Sequence, residues 1–104
     1  MTHVVAVVPA HNQIQSIAAT VKALLELEEL GEVVVVDDGS NDGTGEAARE
    51  AGARVISLPK NIGKGGAVSK AVDASGAPDG YLLIDADLSS SASHAKILLD
   101  MLTN

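Results

Sequence analysis

Residues 33–43 read VVVVDDGSNDG, four valines running straight into two carboxylates and a turn built of Gly, Ser, Asn and Asp. An unbroken β-branched run without polar alternation is what a central parallel strand needs when helices cover both faces of its sheet. Asp37 and Asp38 then stand where that strand meets solvent. Either they are solvated strand-end residues, with Asp38 opening an Asx-type turn that Gly39 closes, or they belong to a polar site on that edge of the sheet.

The pattern continues on both sides of this stretch. Residues 3–9 predict a first strand, after which Ile14, Ile17, Ala18, Val21, Leu24 and Leu25 recur at helical spacing up to a stop at Gly31. Asn12 and Gln15, three apart, predict a cap pair for that helix. Strand two is expected over 32–37, helix two over 41–51 with Gly52 as its stop, and a short third strand over 54–57. Helix three begins within NIGKGGAVSKAVDAS and ends at Gly76, strand four covers 81–84, and a last helix covers 91–102. Strands alternating with helices through short loops imply right-handed crossovers and a parallel sheet. The fold class is therefore α/β, a Rossmann-like three-layer αβα arrangement of four parallel strands in the order 3-2-1-4. Ligands of such sheets sit at the switch point between strands one and four, outside the carboxyl ends of the strands.

Composition agrees with that class. A chain of 104 residues makes one domain with a single core. Tyr81 is its one aromatic residue, so Val, Leu, Ile and Ala fill the interior. With no Cys there is neither a disulfide framework nor a thiolate metal site. The opening VVAVVPA lacks a basic leader and is too short for a signal peptide, and no apolar run reaches membrane-spanning length, which makes a soluble cytoplasmic chain the expectation. A net charge of −7 argues against nucleic acid or an anionic membrane surface as partner. An anionic ligand would need a cation.

All four strands deliver polar groups to one edge: PAHNQ, DDGSNDG, PKNIGKGG and DADLSS. Strand-end loops are always polar, but these combine Asp37, Asp38, Asp85 and Asp87 with Lys60, Lys64 and glycines that permit close backbone approach. KNIGKGGA is not a P-loop, because Leu58 stands where the first glycine belongs and no Ser or Thr follows Lys64; neither it nor GSNDGTG fits the dinucleotide G-x-G-x-x-G. In DAD, Asp85 and Asp87 lie on one side of an extended segment with small Ala86 between them, so both can offer oxygen to one hard divalent cation. Mg2+ or Mn2+ binds in this way, through one or two carboxylates plus substrate phosphate oxygens.

In order and spacing, VVPAHNQ, VVVVDDGSNDGT, NIGKGGA and LLIDADL resemble the nucleotide-sugar-binding half of family 2 glycosyltransferases of the GT-A fold, over essentially the whole chain. The NxGKGGA form is most similar to enzymes that move a sugar onto polyprenyl phosphate or phosphoglycerate. The resemblance implies a nucleoside-diphosphate sugar donor and Mg2+ or Mn2+, with Asp87 as metal ligand and Asp85 near the ribose or the metal. It implies that Pro9, Ala10, His11 and Asn12 wall the nucleotide, that Asp38 meets the base edge, and that Lys64, Gly65 and Gly66 border the donor pocket. Asp37 would orient the loop that begins at Gly39.

Two residues depart from the family pattern. Gln13 stands where the family usually has Glu, keeping a hydrogen-bonding group without its charge, and Asn41 replaces the usual Thr, with either able to cap helix two. The family continues for roughly as long again, with the acceptor site and the base that deprotonates the acceptor hydroxyl, so residues 1–104 correspond to a donor-binding half expected to be inactive in transfer by itself. His3, His94, Lys60 and the serines at 89–91 and 93 have ordinary structural explanations at strand ends, on helix surfaces and at a helix start. Two other classes compete: a truncated or engineered self-associating α/β scaffold without catalysis, and a receiver-type signalling domain. The latter needs an Asp ending strand three, where this chain has VISLPK. Strand four, at a sheet edge with Tyr81, Leu82, Leu83 and Ile84 and no Pro or Lys to blunt it, and the last helix together predict a homodimer.

Overall fold

The computed structural model describes residues 3–76 and 78–86. It contains β1 (Val4–Ala10), α1 (Ile17–Leu25), β2 (Leu30–Asp38), α2 (Thr44–Ala51), β3 (Arg54–Leu58), α3 (Lys64–Ala74) and β4 (Gly80–Leu83). The four strands are all parallel and lie in the order β3-β2-β1-β4, as the sequence predicts. The last helix expected over 91–102, Asp87, the serines at 89–91 and 93, and His94 lie outside the described residues.

The valine runs are explained by two cores that share one sheet. Along β1, Val4, Ala6, Val8 and Ala10 face one cluster, together with Val33 and Val35 of β2, Ile17, Val21 and Leu24 of α1 and Ala48 of α2. The alternate residues Val5, Val7, Val34 and Val36 face a second cluster against Ala67 and Ala71 of α3. Each successive side chain of a strand points to the opposite face, so a strand covered on both sides must be apolar at every position. Burying a Val, Leu or Ile side chain contributes roughly 1.5–3 kcal/mol. The second face is built with less: α3 offers it two buried alanines, while Val72 and Ile62 on that side remain partly exposed.

Two expected caps are corrected. Asn12 and Gln15 do not cap α1. Asn12 instead has φ 52°, its backbone N–H donates to Ser40 Oγ (2.8 Å), and its Oδ1 accepts the N–H of Asn41 (3.1 Å). The first turn before α1 is closed by the Gln13 carbonyl, which accepts the N–H groups of Ser16 and Ile17. Nor does Asn41 cap α2, which begins at Thr44 after Gly43. The N-cap is Gly43, and Asp42 just before it braces the helix start: its Oδ1 accepts the Thr44 N–H at 3.0 Å and also the Thr44 hydroxyl. The Thr44 hydroxyl holds the Asp42 carboxyl below its ordinary value, helped by the backbone N–H groups of Thr44 and Ile14. In both places the polar side chains join two loops, satisfying backbone groups that a local helix cap would leave without partners.

Candidate functional site

The two carboxylates that end β2 are neither free nor alike. Asp37 turns towards α2: its Oδ1 accepts the Ser40 N–H (3.1 Å), and Gly45 packs so closely on the carboxylate that a Cβ there would stand 2.5 Å from Oδ2. A negative group thus lies beside the first turn of α2, where the helix dipole favours it. Asp38 is 4% exposed, and its two oxygens accept the N–H groups of Ile62 (2.8 Å) and Gly63 (3.0 Å). The Asx turn expected at Asp38 is not made: Asp37, one residue earlier, accepts the Ser40 N–H three residues on, while Asp38 fastens the loop between β3 and α3 to the end of β2.

After β1 the chain crosses the end of β2. His11 Nδ1–H donates to the Asp38 carbonyl (2.9 Å), which fixes the tautomer and leaves Nε2 to accept from Asn12 Nδ2–H (3.3 Å). The Gln13 N–H donates to Thr44 Oγ1 (2.9 Å), binding this loop to the start of α2.

At the end of β4 the Ile84 N–H still pairs with the Val7 carbonyl (3.1 Å). Beyond it the Asp85 carboxylate is exposed and meets Lys64 Nζ at 3.1 Å. Next to it the Ala86 carbonyl is buried and receives two hydroxyls, Thr20 Oγ1 of α1 at 2.8 Å and Ser16 Oγ just before α1 at 3.1 Å. Lys64 is the first residue of α3, so the positive end of that helix and its ammonium face the Asp85 carboxylate.

These loops enclose an open cleft of about 370 Å3 at the carboxyl ends of the strands. Of the residues predicted for the site, Pro9, Ala10, His11, Gln13, Asp38, Lys64 and Asp85 line it. Asn12, Asp37, Gly39, Gly65 and Gly66 do not. The first three hold the loops behind the cleft, and Gly65 and Gly66 continue α3, where a Cβ would meet nothing within 4 Å at Gly65 and only the Ile62 side chain at Gly66. Asn61, Gly63 and Ala86 also line the cleft, although the sequence assigns them no binding role. Asp87, the predicted metal ligand, lies outside the described residues.

The donor set suits a hard cation in one way only. Among the described residues no three His, Cys, Asp or Glu side chains converge to hold a metal. Asp85 offers one exposed carboxylate at the cleft, which matches the mode of Mg2+, where one or two carboxylates are completed by ligand phosphate oxygens and water. Among the described residues no helix is long and apolar enough to cross a membrane.

Comparison with known proteins places the chain in a family. Glucosyl-3-phosphoglycerate synthase from Mycobacterium tuberculosis, solved in complex with Mn2+, uridine diphosphate and glucosyl-3-phosphoglycerate, superposes with a TM-score of 0.71 at 29% identity over 82% of this chain and 33% of its own. The same enzyme has been solved with Mg2+ and uridine diphosphate. A second mycobacterial protein superposes with a TM-score of 0.80 at 26% identity, over 99% of this chain and 38% of its own. In sequence the chain is 37% identical over 95 residues to glycosyltransferase AglJ of Haloferax volcanii, spanning 91% of this chain and 31% of that protein. It is 31% identical over 103 residues to protein RfbJ of Shigella flexneri, spanning 76% of that protein. The chain thus spans about a third of the length of AglJ and of these solved structures. The profile of Glycosyl transferase family 2 matches residues 5–104, and the chain belongs to that family.

Proposed function

We propose that residues 1–104 bind the nucleoside-diphosphate end of a sugar donor, with Mg2+ or Mn2+ held by Asp85, Asp87 and the diphosphate. The observation that carries this is the cleft wall, where Lys64 and the amino end of α3 stand opposite the Asp85 carboxylate. An α-helix amino terminus with a lysine suits phosphate oxygens. A diphosphate about 4 Å from carboxylates is repelled by roughly 1 kcal/mol per charge pair in water, or about 4 at an effective dielectric of 20. The cation, when bound, reverses that sign and neutralises the departing diphosphate. Support also comes from the uridine-diphosphate complexes of the M. tuberculosis synthase, whose chain superposes on this one.

The remaining roles follow from the side chains present. Pro9, Ala10 and His11 wall the nucleotide, with Asn12 holding their loop from behind, and Gln13 offers its amide to the ribose. Each Asp38 oxygen spends one lone pair on a backbone N–H and keeps another for a base N–H. Among the described residues Asp38 and Asp85 are the cleft's only carboxylates, one held by two backbone donors and one facing the donor's diphosphate. We therefore assign deprotonation of the acceptor hydroxyl to a group outside this set, and expect no sugar transfer from this stretch by itself.

Titration calorimetry with uridine or guanosine diphosphate tests the site. Binding is expected with Mn2+ or Mg2+ and at least about tenfold weaker in EDTA, a change of about 1.4 kcal/mol. Asp85→Asn and Asp87→Asn are each expected to remove the metal dependence. Equal affinity in EDTA, or no binding at millimolar nucleotide with metal present, would refute the assignment.

A second copy of the chain is the partner we propose for β4. Among the described residues β4 pairs with β1 alone, and Leu83 beside that open edge is 52% exposed. The same edge favours the reading as a non-catalytic self-associating scaffold, should nucleotide binding fail. Light scattering is expected to give a dimer mass, shifted towards the monomer by Leu83→Lys. A monomer at high micromolar concentration would exclude the pairing.

A further inference from the structure

We infer that Thr20 and Ser16 are positioning residues for Asp85: by holding the Ala86 peptide they fix where the Asp85 carboxylate stands in the cleft. The inference rests on the donor-site reading above for its functional consequence, but not for the geometry.

Thr20 lies in the apolar stripe of α1 and is fully buried, one of three polar residues buried among the described residues, with Asp38 and Thr44. A hydroxyl in such a place requires a partner. A threonine within a helix ordinarily bonds the carbonyl one turn back in its own helix. Here that carbonyl, of Ser16, accepts the Thr20 N–H, and the hydroxyl reaches out of the helix to Ala86, 66 residues away. Ser16 lies one turn earlier and points its hydroxyl at the same oxygen.

The two hydroxyls are not equivalent. Ser16 Oγ stands 3.1 Å from the Ala86 carbonyl and 3.2 Å from Gln13 Oε1, and its single hydrogen serves one of them at a time. Thr20, at 2.8 Å, is the constant partner. The Ala86 carbonyl is thus tied to α1, whose first turn is closed by the carbonyl of Gln13 at the cleft. Among the described residues, the one partner of the Asp85 side chain is Lys64, in an exposed ion pair. Such a pair contributes little order. The Asp85 backbone is therefore held on one side by the Ile84 N–H bond to Val7 in the sheet and on the other by the Ala86 carbonyl, whose donors are Thr20 of α1 and Ser16 just before it.

The test uses Thr20→Val, which keeps the shape and removes the hydroxyl, Thr20→Ser, which restores a hydroxyl, and Ser16→Ala. In the ligand-free protein, 15N relaxation is expected to show increased backbone mobility at Asp85 and Ala86 in Thr20→Val, little change at β1 and β2, and recovery in Thr20→Ser. By calorimetry, Thr20→Val is expected to weaken Mn2+-dependent binding of uridine diphosphate about tenfold and leave binding in EDTA unchanged. Ser16→Ala is expected to weaken it less than threefold. Unaltered mobility at Asp85 and Ala86 in folded Thr20→Val would overturn the inference whatever the binding data show. So would unaltered Mn2+-dependent affinity, or a loss that Thr20→Ser does not recover. Absence of metal-dependent binding in the unaltered protein would instead overturn the donor-site reading, with the relaxation data still deciding whether Thr20 holds this peptide.

Discussion

Asp38→Ala is expected to lower the unfolding free energy by about 2–4 kcal/mol, measured by urea denaturation. The Ile62 N–H ends on this carboxylate, the Gly63 N–H is shared between it and Asn61 Oδ1 (3.1 Å), and Asp38 is nearly buried. Stranding a buried donor costs about 1–3 kcal/mol, and bonds to a charged acceptor lie at the strong end of that range. Water entering the opened loop would recover part of the loss. Asp38→Asn is expected to fall between the two, because one oxygen still accepts one N–H while the amide NH2 opposes the other. If Asp38 were merely solvated at the strand end, both variants would leave the denaturation midpoint unchanged. Since Gly63 and Lys64 follow directly from these bonds, the destabilised loop would also carry the start of α3 away from the cleft. Loss of stability and loss of nucleotide affinity are therefore expected together in Asp38→Ala.

The contrast between Asp37 and Asp38 shows where sequence reading stops. The strands were legible because their physics is local: VVAVV and VVVV have no polar position, and only a sheet covered on both faces leaves none. Strand order followed from connection rules, and the concentration of charge at the carboxyl edge followed from strand order. Which carboxylate does what could not be read, since the partners of Asp38 are backbone donors 24 and 25 residues away. Backbone groups carry no residue signature. For the same reason Asn61, Gly63 and Ala86, which stand within the NIGKGGA and DAD motifs, carry no predicted binding role although they line the cleft. Thr20 gave no signal at all, because a threonine within an apolar helical stripe has no pattern that points 66 residues ahead. Asn12 misled in the opposite direction. Its spacing to Gln15 is that of a helix cap, but pairing with Ser40 and Asn41 satisfies groups on two loops at once, and long-range geometry prevailed over the local motif.

The largest backbone effect is expected at Gly39. Its φ of 74° lies in the left-handed region, and a Cβ there would stand 2.4 Å from the Asn61 backbone nitrogen and 2.6 Å from the Lys60 carbonyl carbon. Neither neighbour is a flexible side-chain end, so the chain itself must move. A left-handed conformation costs a non-glycine residue roughly 1–2 kcal/mol, and forcing extra volume into a packed contact adds typically about 1–3. Gly39→Ala is thus expected to destabilise by about 2–5 kcal/mol. Gly43 provides the control. Its φ is 88°, but a Cβ there would meet only the Ile14 Cδ1 atom at 3.7 Å, an ordinary contact. Gly43→Ala carries the conformational part alone, about 1–2 kcal/mol. The difference between the two urea midpoints therefore measures how tightly the loop after β2 is pressed against the loop before α3. Because Asn61 lines the cleft and Gly39 presses on its backbone, Gly39→Ala should also weaken metal-dependent nucleotide binding, whereas Gly43→Ala should not. Equal destabilisation by the two alanines would mean that the loops stand apart in solution and that the cleft is shaped by Asp38 alone.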